Sequence, residues 1–390
     1  MTDTDRSRVT DTEQVASLAC PACEATYRDR WRCACGAPLE YADSLEIAEA
    51  STDTSAGSEQ PFDELSPETL ADDRPPHAGL WRYAALLPES PLVTLGEGGT
   101  PLVDAPAWDA QFKLEYTFPT GSFKDRGATA TLSRAAALGV DRVVEDSSGN
   151  AGAAVATYAA RAGIDAEIYV PADVKESKLT AIRRAGGEPV RVEGSRGDVT
   201  DACVAAVETD DAWYASHAWR PSFLAGTATV AYEIAAQRGW TAPDAVVLPV
   251  GHGTLFLGAY RGFRRLAAAG WIESVPRLYA AQAAGVAPVV AALHGESAAA
   301  GDNALADGIQ IAEPVRQAAL VDAVRETGGD AVALSAETVK RELTRLHEAG
   351  FYTEPTCATA PAALRVFRER GAVDAEDDVV VPLTGSGLKT

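Results

Sequence analysis

The chain has 390 residues, 46% of them hydrophobic, with 56 acidic against 34 basic side chains and a formal net charge of −22. That apolar fraction excludes a generally disordered chain, and the length allows two or three domains around a sizeable core. A sequence pI near 4.6 excludes a phosphate-neutralising surface, because nucleic-acid binding needs clustered Lys and Arg to displace counterions; an anionic membrane is disfavoured for the same reason. Lysine stands only at 113, 124, 175, 178, 340 and 389, and the one Met is the first residue. This bias fits a salt-rich cytoplasm, where a negative surface keeps protein dissolved, and equally a GC-rich genome. No run approaches the roughly 18 apolar residues of a membrane helix, and the opening MTDTDRSRVTDTEQ lacks a signal peptide's basic-then-apolar pattern. A cytoplasmic protein is expected.

Four of the six cysteines crowd into sixteen residues as Cys20-Pro-Ala-Cys23 and Cys33-Ala-Cys35-Gly36. Two tight cysteine turns facing each other supply four tetrahedral zinc ligands at about 2.3 Å without any core, and Gly36 lets the second turn approach the sulfurs. The second pair is C-x-C and the loop between the pairs is short, so reduced or redox-active thiols stay open beside zinc. A closed site of this kind is structural. From Tyr41 to Asp73 there are ten acidic residues and no basic one, which reads as a mobile linker with a helical turn at its start.

From about Pro76 the pattern becomes short apolar runs, each followed by a turn and a helical stretch. The runs begin at Arg142, Ala166, Pro189, Ala245, Arg277 and Asp378; Ala151 to Ala162, Lys178 to Ala185 and Thr227 to Gln237 read as helices between them. Strand alternating with helix predicts parallel sheets covered on both faces, with ligands at the carboxyl ends of the strands.

Three turns at such ends are rich in Gly and hydroxyl residues: Ser147-Ser-Gly-Asn-Ala-Gly152, Gly251-His-Gly-Thr-Leu255 and Thr384-Gly-Ser-Gly387. A turn of this kind entering a helix points several N–H groups at one spot and cradles a phosphate or carboxylate, although a glycine that merely closes a tight turn reads the same way. Neither nucleotide fingerprint fits, and the last turn leaves no room for a helix. The segment Pro119-Thr-Gly-Ser-Phe-Lys-Asp-Arg-Gly127 places Lys124 between a Gly-Ser turn and an Ala-rich helix. An ammonium at a helix N-terminus is electrostatically disfavoured, which lowers its pKa toward a nucleophilic amine.

Pro119 to Gly127 resembles the lysine segment of fold type II pyridoxal-phosphate (PLP) enzymes. The asparagine loop at Ser147, the glycine loop at Gly251, Ala306-Asp-Gly-Ile-Gln and Glu354-Pro-Thr-Cys-Ala-Thr-Ala are similar to that family's signatures in the same order. Leu95-Gly-Glu-Gly-Gly-Thr-Pro-Leu102, the closing Val381-Pro-Leu-Thr-Gly-Ser-Gly-Leu-Lys and the cysteine knuckle most resemble the threonine synthase family. The resemblance implies that Lys124 holds PLP covalently and shuttles protons, and that Asn150 hydrogen-bonds the cofactor's ring oxygen. It also implies that Gly251, His252, Gly253 and Thr254 bind the cofactor phosphate, and that Thr384 faces the pyridine nitrogen. Ser147, Ser148, Gly149 and Ala151 would hold a substrate carboxylate. An O-phosphohomoserine substrate needs a second anion pocket, for which Lys178, Arg183 and Arg220 are candidates.

Three positions depart from the family. His217-Ala-Trp-Arg-Pro-Ser-Phe stands where an N-x-x-N-P-Y-R segment is common, His252 stands where Asn or Gly is commoner, and Cys357 stands where serine is frequent. Cys203 reads as core, and Cys357 as core or as lining the cofactor ring. The expected architecture is α/β, a fold type II PLP enzyme with two open parallel-sheet domains. Its expected parts are a zinc-ribbon-like module (1–40), a linker (41–75), a large domain (76–129 and 231–390) and a small domain (130–230). The expected activity is that of a PLP-dependent lyase making threonine and phosphate from O-phosphohomoserine and water. A serine or threonine ammonia-lyase is the enzymatic alternative, and an amino-acid- or partner-binding descendant the non-enzymatic one. The resemblance also implies a homodimer acting on a small amino acid.

Overall fold

The computed structural model describes residues 15–42, 66, 67, 76–210 and 212–389. The expected acidic linker lies outside them except for residues 41, 42, 66 and 67, and Tyr41 belongs to a strand instead. The cysteine module is a three-stranded antiparallel sheet of β1 (Leu18–Ala19), β2 (Thr26–Tyr27) and β3 (Glu40–Tyr41) in the order β2-β1-β3. A 3-10 segment over Pro76–Leu86 leads to β4 (Leu102–Ala105) and β5 (Ala110–Lys113).

The chain then alternates as the sequence predicts. It runs through α1 (Lys124–Ala137), β6 (Arg142–Glu145), α2 (Asn150–Ala162), β7 (Asp165–Pro171), α3 (Glu176–Arg184), β8 (Glu188–Val192), α4 (Arg196–Thr209) and β9 (Trp213–Tyr214). It continues through α5 (Pro221–Gln237), β10 (Ala245–Pro249), α6 (Thr254–Ala268), β11 (Arg277–Ala283), α7 (Pro288–His294), α8 (Glu296–Ala299) and α9 (Gln317–Glu326). The last elements are β12 (Ala331–Leu334), α10 (Ala336–Glu348), α11 (Thr359–Glu369) and β13 (Val379–Pro382).

Six strands form one sheet in the order β12-β11-β10-β13-β5-β4, and four form another in the order β8-β7-β6-β9. The pairs are parallel except β4 with β5, which corrects the expectation of purely parallel sheets. Residues 106–109 link these two strands in a short connection, which only an antiparallel pair can use. Side-chain alternation explains why both faces need helices. On β10, Val246 and Leu248 pack with α5 and α6, while Ala245 and Val247 pack with α11. On β6, Val143 and Val144 divide between two cores in the same way.

Helices α1 and α5 join the two sheets and approach closely through glycine. A Cβ on Gly226 would lie 2.0 Å from the Arg126 carbonyl oxygen, and one on Gly127 2.2 Å from the Phe223 ring. Beside this crossing four charged side chains are buried together. Arg126 donates to Glu115 (2.7 Å) and Glu233 (2.8 Å), and Lys113 donates to Glu233 (2.7 Å). Arg126, Glu115 and Lys113 are 0% exposed and Glu233 2%.

Removing Glu233 takes away the carboxylate that Lys113 and Arg126 share and leaves one buried positive charge uncompensated. Glu233→Gln should destabilise the protein by about 3–5 kcal/mol, read from denaturant unfolding. A loss under about 1 kcal/mol would show that the cluster does not hold the fold.

Candidate active site

The start of α1 is pinned to the turn after β13. Phe123 N–H donates to the Thr384 carbonyl (3.1 Å), Ser386 N–H donates to the Gly121 carbonyl (2.9 Å), and Ser122 bridges to Gly385. Asp125 closes the preceding turn by accepting from the Thr120 N–H (2.9 Å) and from its hydroxyl. Lys124 Nζ therefore sits in an aromatic wall, 4.3 Å from the Phe123 ring centroid and 5.9 Å from that of Phe223. Burial pushes its amine down to about 8, against the pull of the Glu145 and Glu354 carboxylates. The sequence ascribed the lowering to the helix N-terminus, whereas loss of water is the larger cause.

The turn after β6 enters α2 beside this lysine. Ser147 is buried and its hydroxyl accepts from the Gly149 N–H (3.3 Å); Ser148 and Gly149 are half-buried, and Ala151 is buried. Asn150 Nδ2 donates to both oxygens of Glu354 (3.0 and 3.1 Å), and Asn150 Oδ1 accepts from Lys389 Nζ (2.9 Å). Burial raises the Glu354 carboxyl, opposed by the Asn150 hydrogen bond and Lys389. Glu354 and Lys389 each belong to a motif that the sequence shows, but neither had a role assigned from sequence. For Lys389, its place two residues after a Gly-Ser-Gly turn was the available signal.

The turn after β10 is the third wall. Gly253 has φ +74°, in the left-handed region, and a Cβ there would lie 2.3 Å from Leu320; a Cβ on Gly251 would lie 3.0 Å from the Ile309 Cα. The loop backbone is thus pressed against the Asp307–Ile309 turn while Thr254 opens α6. Thr254 Oγ1 and His252 Nδ1 are buried without a hydrogen-bond partner among the described residues. The His252 ring meets His217 edge-on, with centroids 5.1 Å apart, and His217 Nδ1 lies 2.6 Å from Glu145 Oε1. Burial holds both histidines well below their usual range and lifts Glu145 well above its own. Two of the positions that depart from the family pattern, His217 and His252, therefore meet in one cluster.

Other expected residues fall elsewhere. Arg220 is no candidate for an anion pocket: it is 2% exposed, pairs with Asp29 (3.0 Å) and stacks on Trp213 at 3.5 Å. Arg183 pairs with Glu176 at the surface (2.9 Å). Lys178 reaches across from α3 to Asp307 (3.4 Å), a residue of the turn beneath the glycine loop. Cys203 is core, as expected. Cys357 is fully buried, accepts from the Thr384 N–H (3.1 Å), and has its thiol pushed up to about 12 by burial. Cys20, Cys23, Cys33 and Cys35 bring their sulfurs within 4.8 Å of one another. Tetrahedral zinc thiolate sites space their sulfurs by about 3.8 Å, and here Cys20–Cys35 and Cys23–Cys33 lie at 3.6 and 3.4 Å. The donor set fits such a metal.

The pyridoxal-phosphate dependent enzyme family matches residues 93–385, more than half of the chain. The threonine synthase of Methanocaldococcus jannaschii is 31% identical over 389 residues, covering 95% of this chain and 92% of that protein. The threonine synthase of Methanosarcina acetivorans is 33% identical over 326 residues, with 80% of each chain covered. Among solved structures, threonine deaminase isoform 2 of Solanum lycopersicum superposes with a TM-score of 0.66 at 22% identity, over 79% of this chain and 84% of that one. Maize serine racemase gives 0.62 at 23% identity, over 74% and 88%. These two share the fold. The lysine, asparagine and glycine turns thus converge in a chain that belongs to the pyridoxal-phosphate dependent enzymes, and within them to the threonine synthase family.

Proposed function

We propose that this protein binds PLP at Lys124 and converts O-phosphohomoserine and water to threonine and phosphate. The carrying observation is the desolvated amine of Lys124, held among the carboxyl ends of β6, β10 and β13 by the contacts described above. The site fits the cofactor on its own evidence. The glycine loop is held tightly against Leu320 and Ile309, where a Cβ would clash, and the first N–H groups of α6 have no intrahelical acceptor. The orphaned Thr254 hydroxyl adds a donor beside them. Gly251, His252, Gly253 and Thr254 would hold the phosphate, Asn150 the ring oxygen, and Thr384 the pyridine nitrogen.

Bound PLP supplies an electron sink for negative charge at Cα. A hydroxyl at Thr384, unlike a carboxylate, does not keep a proton on the ring nitrogen, which suits elimination chemistry. The N–H groups of Ser147 to Ala151 hold the substrate carboxylate at the start of α2. The Lys124 amine, brought down to about 8 by burial, would take the Cα proton and, once that is passed on, a Cβ proton; phosphate leaves from Cγ, protons return to Cγ and Cα, and water supplies the Cβ hydroxyl and the proton that the phosphate takes up. With Arg220 buried elsewhere and Arg183 paired at the surface, Lys178 is the one of the three expected cations that would meet the distal phosphate, released from Asp307 as the substrate enters. Because Lys178 is held only by an exposed ion pair, a serine or threonine ammonia-lyase is the second reading.

In this reading the four-stranded unit, about residues 130–230, closes on the larger one and excludes water until hydration. The four cysteines hold structural zinc, and the enzyme is a cytoplasmic homodimer. Among the described residues no helix is long and apolar enough to cross a membrane.

Three outcomes follow. Purified protein should turn yellow with PLP and release phosphate from O-phosphohomoserine at high salt, and Lys124→Ala should abolish both. Ammonia from threonine without phosphate release would move the assignment to the lyase, and failure to take up PLP would leave only a binding protein. Uptake of PLP by the apoprotein needs the neutral amine, so its rate should rise with pH with a half-rise at about 8; a half-rise near 10, the range of an ordinary lysine, would remove the desolvation argument. The protein should carry one zinc per chain, and chelation should lower its melting temperature; a zinc content that stays near zero after reconstitution would remove the metal.

A further inference from the structure

Asn150 is held at both ends of its amide by charged side chains. Oδ1 accepts from Lys389 Nζ at 2.9 Å, and Nδ2 donates to the two Glu354 oxygens at 3.0 and 3.1 Å. An ammonium only donates and a carboxylate only accepts, so the pair permits one orientation of the amide and excludes its flip. The surrounding backbone leaves room for this arrangement. A Cβ on Gly385 would lie 2.3 Å from the Glu354 carboxylate, and Gly121 faces the Lys389 stem, whose Cδ and Cε lie 3.5 Å from its Cβ position. Lys389 ends a short turn tied down by the Gly387 N–H to the Tyr352 carbonyl (3.1 Å) and by the Leu388 N–H to Ser386 Oγ (3.2 Å). The loop that brings Thr384 into the cleft therefore brings Lys389 as well.

We propose that Lys389 is a positioning residue for the cofactor: it locks the Asn150 amide so that an N–H donor, never the carbonyl oxygen, meets the cofactor's ring oxygen. The inference rests on the reading of Asn150 as that oxygen's partner. Without the ammonium, Oδ1 loses its donor and the amide is oriented by Glu354 alone, so its N–H is held less firmly toward the ring oxygen. Lys389 also keeps a positive charge one residue away from that oxygen, favouring its ionised form.

The test is a spectrophotometric titration of apoprotein with PLP for the wild type, Lys389→Met, Lys389→Arg, Asn150→Ala and the Asn150→Ala/Lys389→Met double variant. Lys389→Met should bind about tenfold more weakly, as expected for one charge-assisted hydrogen bond. The pH at which the bound cofactor changes colour should rise, because removing a cation favours the protonated chromophore. Lys389→Arg should recover most of both effects. In the Asn150→Ala background Lys389→Met should have no further effect on affinity, since it acts through the missing amide. Wild-type affinity and colour change in Lys389→Met would overturn the proposal, and so would an equal loss in both backgrounds. A wild type that takes up no PLP would overturn the cofactor reading along with it, which the wild-type arm alone reveals.

Discussion

The position of Lys124 depends on a cluster of buried charge two residues further along its helix. The Arg126 guanidinium is saturated: Nε and Nη2 donate to Glu115, Nη1 and Nη2 to Glu233, and Nη1 also to the Thr229 hydroxyl. Lys113 adds the second cation, donating to Glu233, Gln237 and the Thr100 carbonyl. Two positive and two negative groups cancel, so no net charge is left in the interior. The Leu95 to Leu102 motif is explained by the same cluster, because the Gly99 and Thr100 N–H groups also donate to Glu233. Apolar side chains could fill this volume at no loss of stability, but they would not select one register of α1 against α5. Directional hydrogen bonds do, and register decides where the first residue of α1 points.

A second set of buried pairs ties the cysteine module to both sheets. Asp29 accepts from Arg134 on α1 (2.9 Å), from Arg220 at the start of α5 (3.0 Å) and from the Trp213 indole (2.8 Å). On the other side Glu40 accepts from Arg261 on α6 (2.6 Å), and Arg316 donates to the Leu39 and Ala218 carbonyls (2.8 and 2.7 Å). Trp31 packs edge-on against Tyr214 and Trp219. These contacts converge on residues 213–220, the segment that carries His217 to Glu145 and His252. A module with few apolar residues of its own thus fixes part of the cleft, and metal at its cysteines would stiffen that brace without touching the reaction.

The parts of this architecture that were legible in the sequence share a physical cause. Buried parallel strands such as β10 are continuous apolar runs, and the turns that face a ligand need glycine or a hydroxyl at a definite place. Strands β4, β5, β9 and β12 were not legible: unlike the β-branched runs of β6 and β13 they lack a continuous apolar stretch or are only two residues long, and Ala331-Val-Ala-Leu334 suits a helix as well as a strand. Arg220 was misread because its partner, Asp29, is 191 residues away in sequence; local pattern cannot tell a buried arginine from an anion-binding one. Lys389 was overlooked for the same reason, its partner Asn150 being 239 residues distant. Scarcity of lysine pointed to Lys124 and then to Lys178, whose contact is an exposed ion pair; it did not single out Lys389.

The net charge of −22 would seem to oppose a site for an anionic cofactor and an anionic substrate, and the cleft shows why it does not. Burial favours the uncharged forms of its own acids, raising Glu145 beside His217 and Glu354 beside Asn150. Three helices, α1, α2 and α6, aim their N-termini into the same space, and their dipoles act at contact distance. Charges on the outer surface act through water and ions, where the screening length is about 8–10 Å at ordinary ionic strength and shorter in strong salt. Salt therefore separates the two roles of charge in this chain. It quiets the long-range repulsion of an acidic surface while leaving the short, buried, oriented donors of the cleft at full strength, so an acidic exterior and an anion-binding interior are compatible, and more so as salt rises.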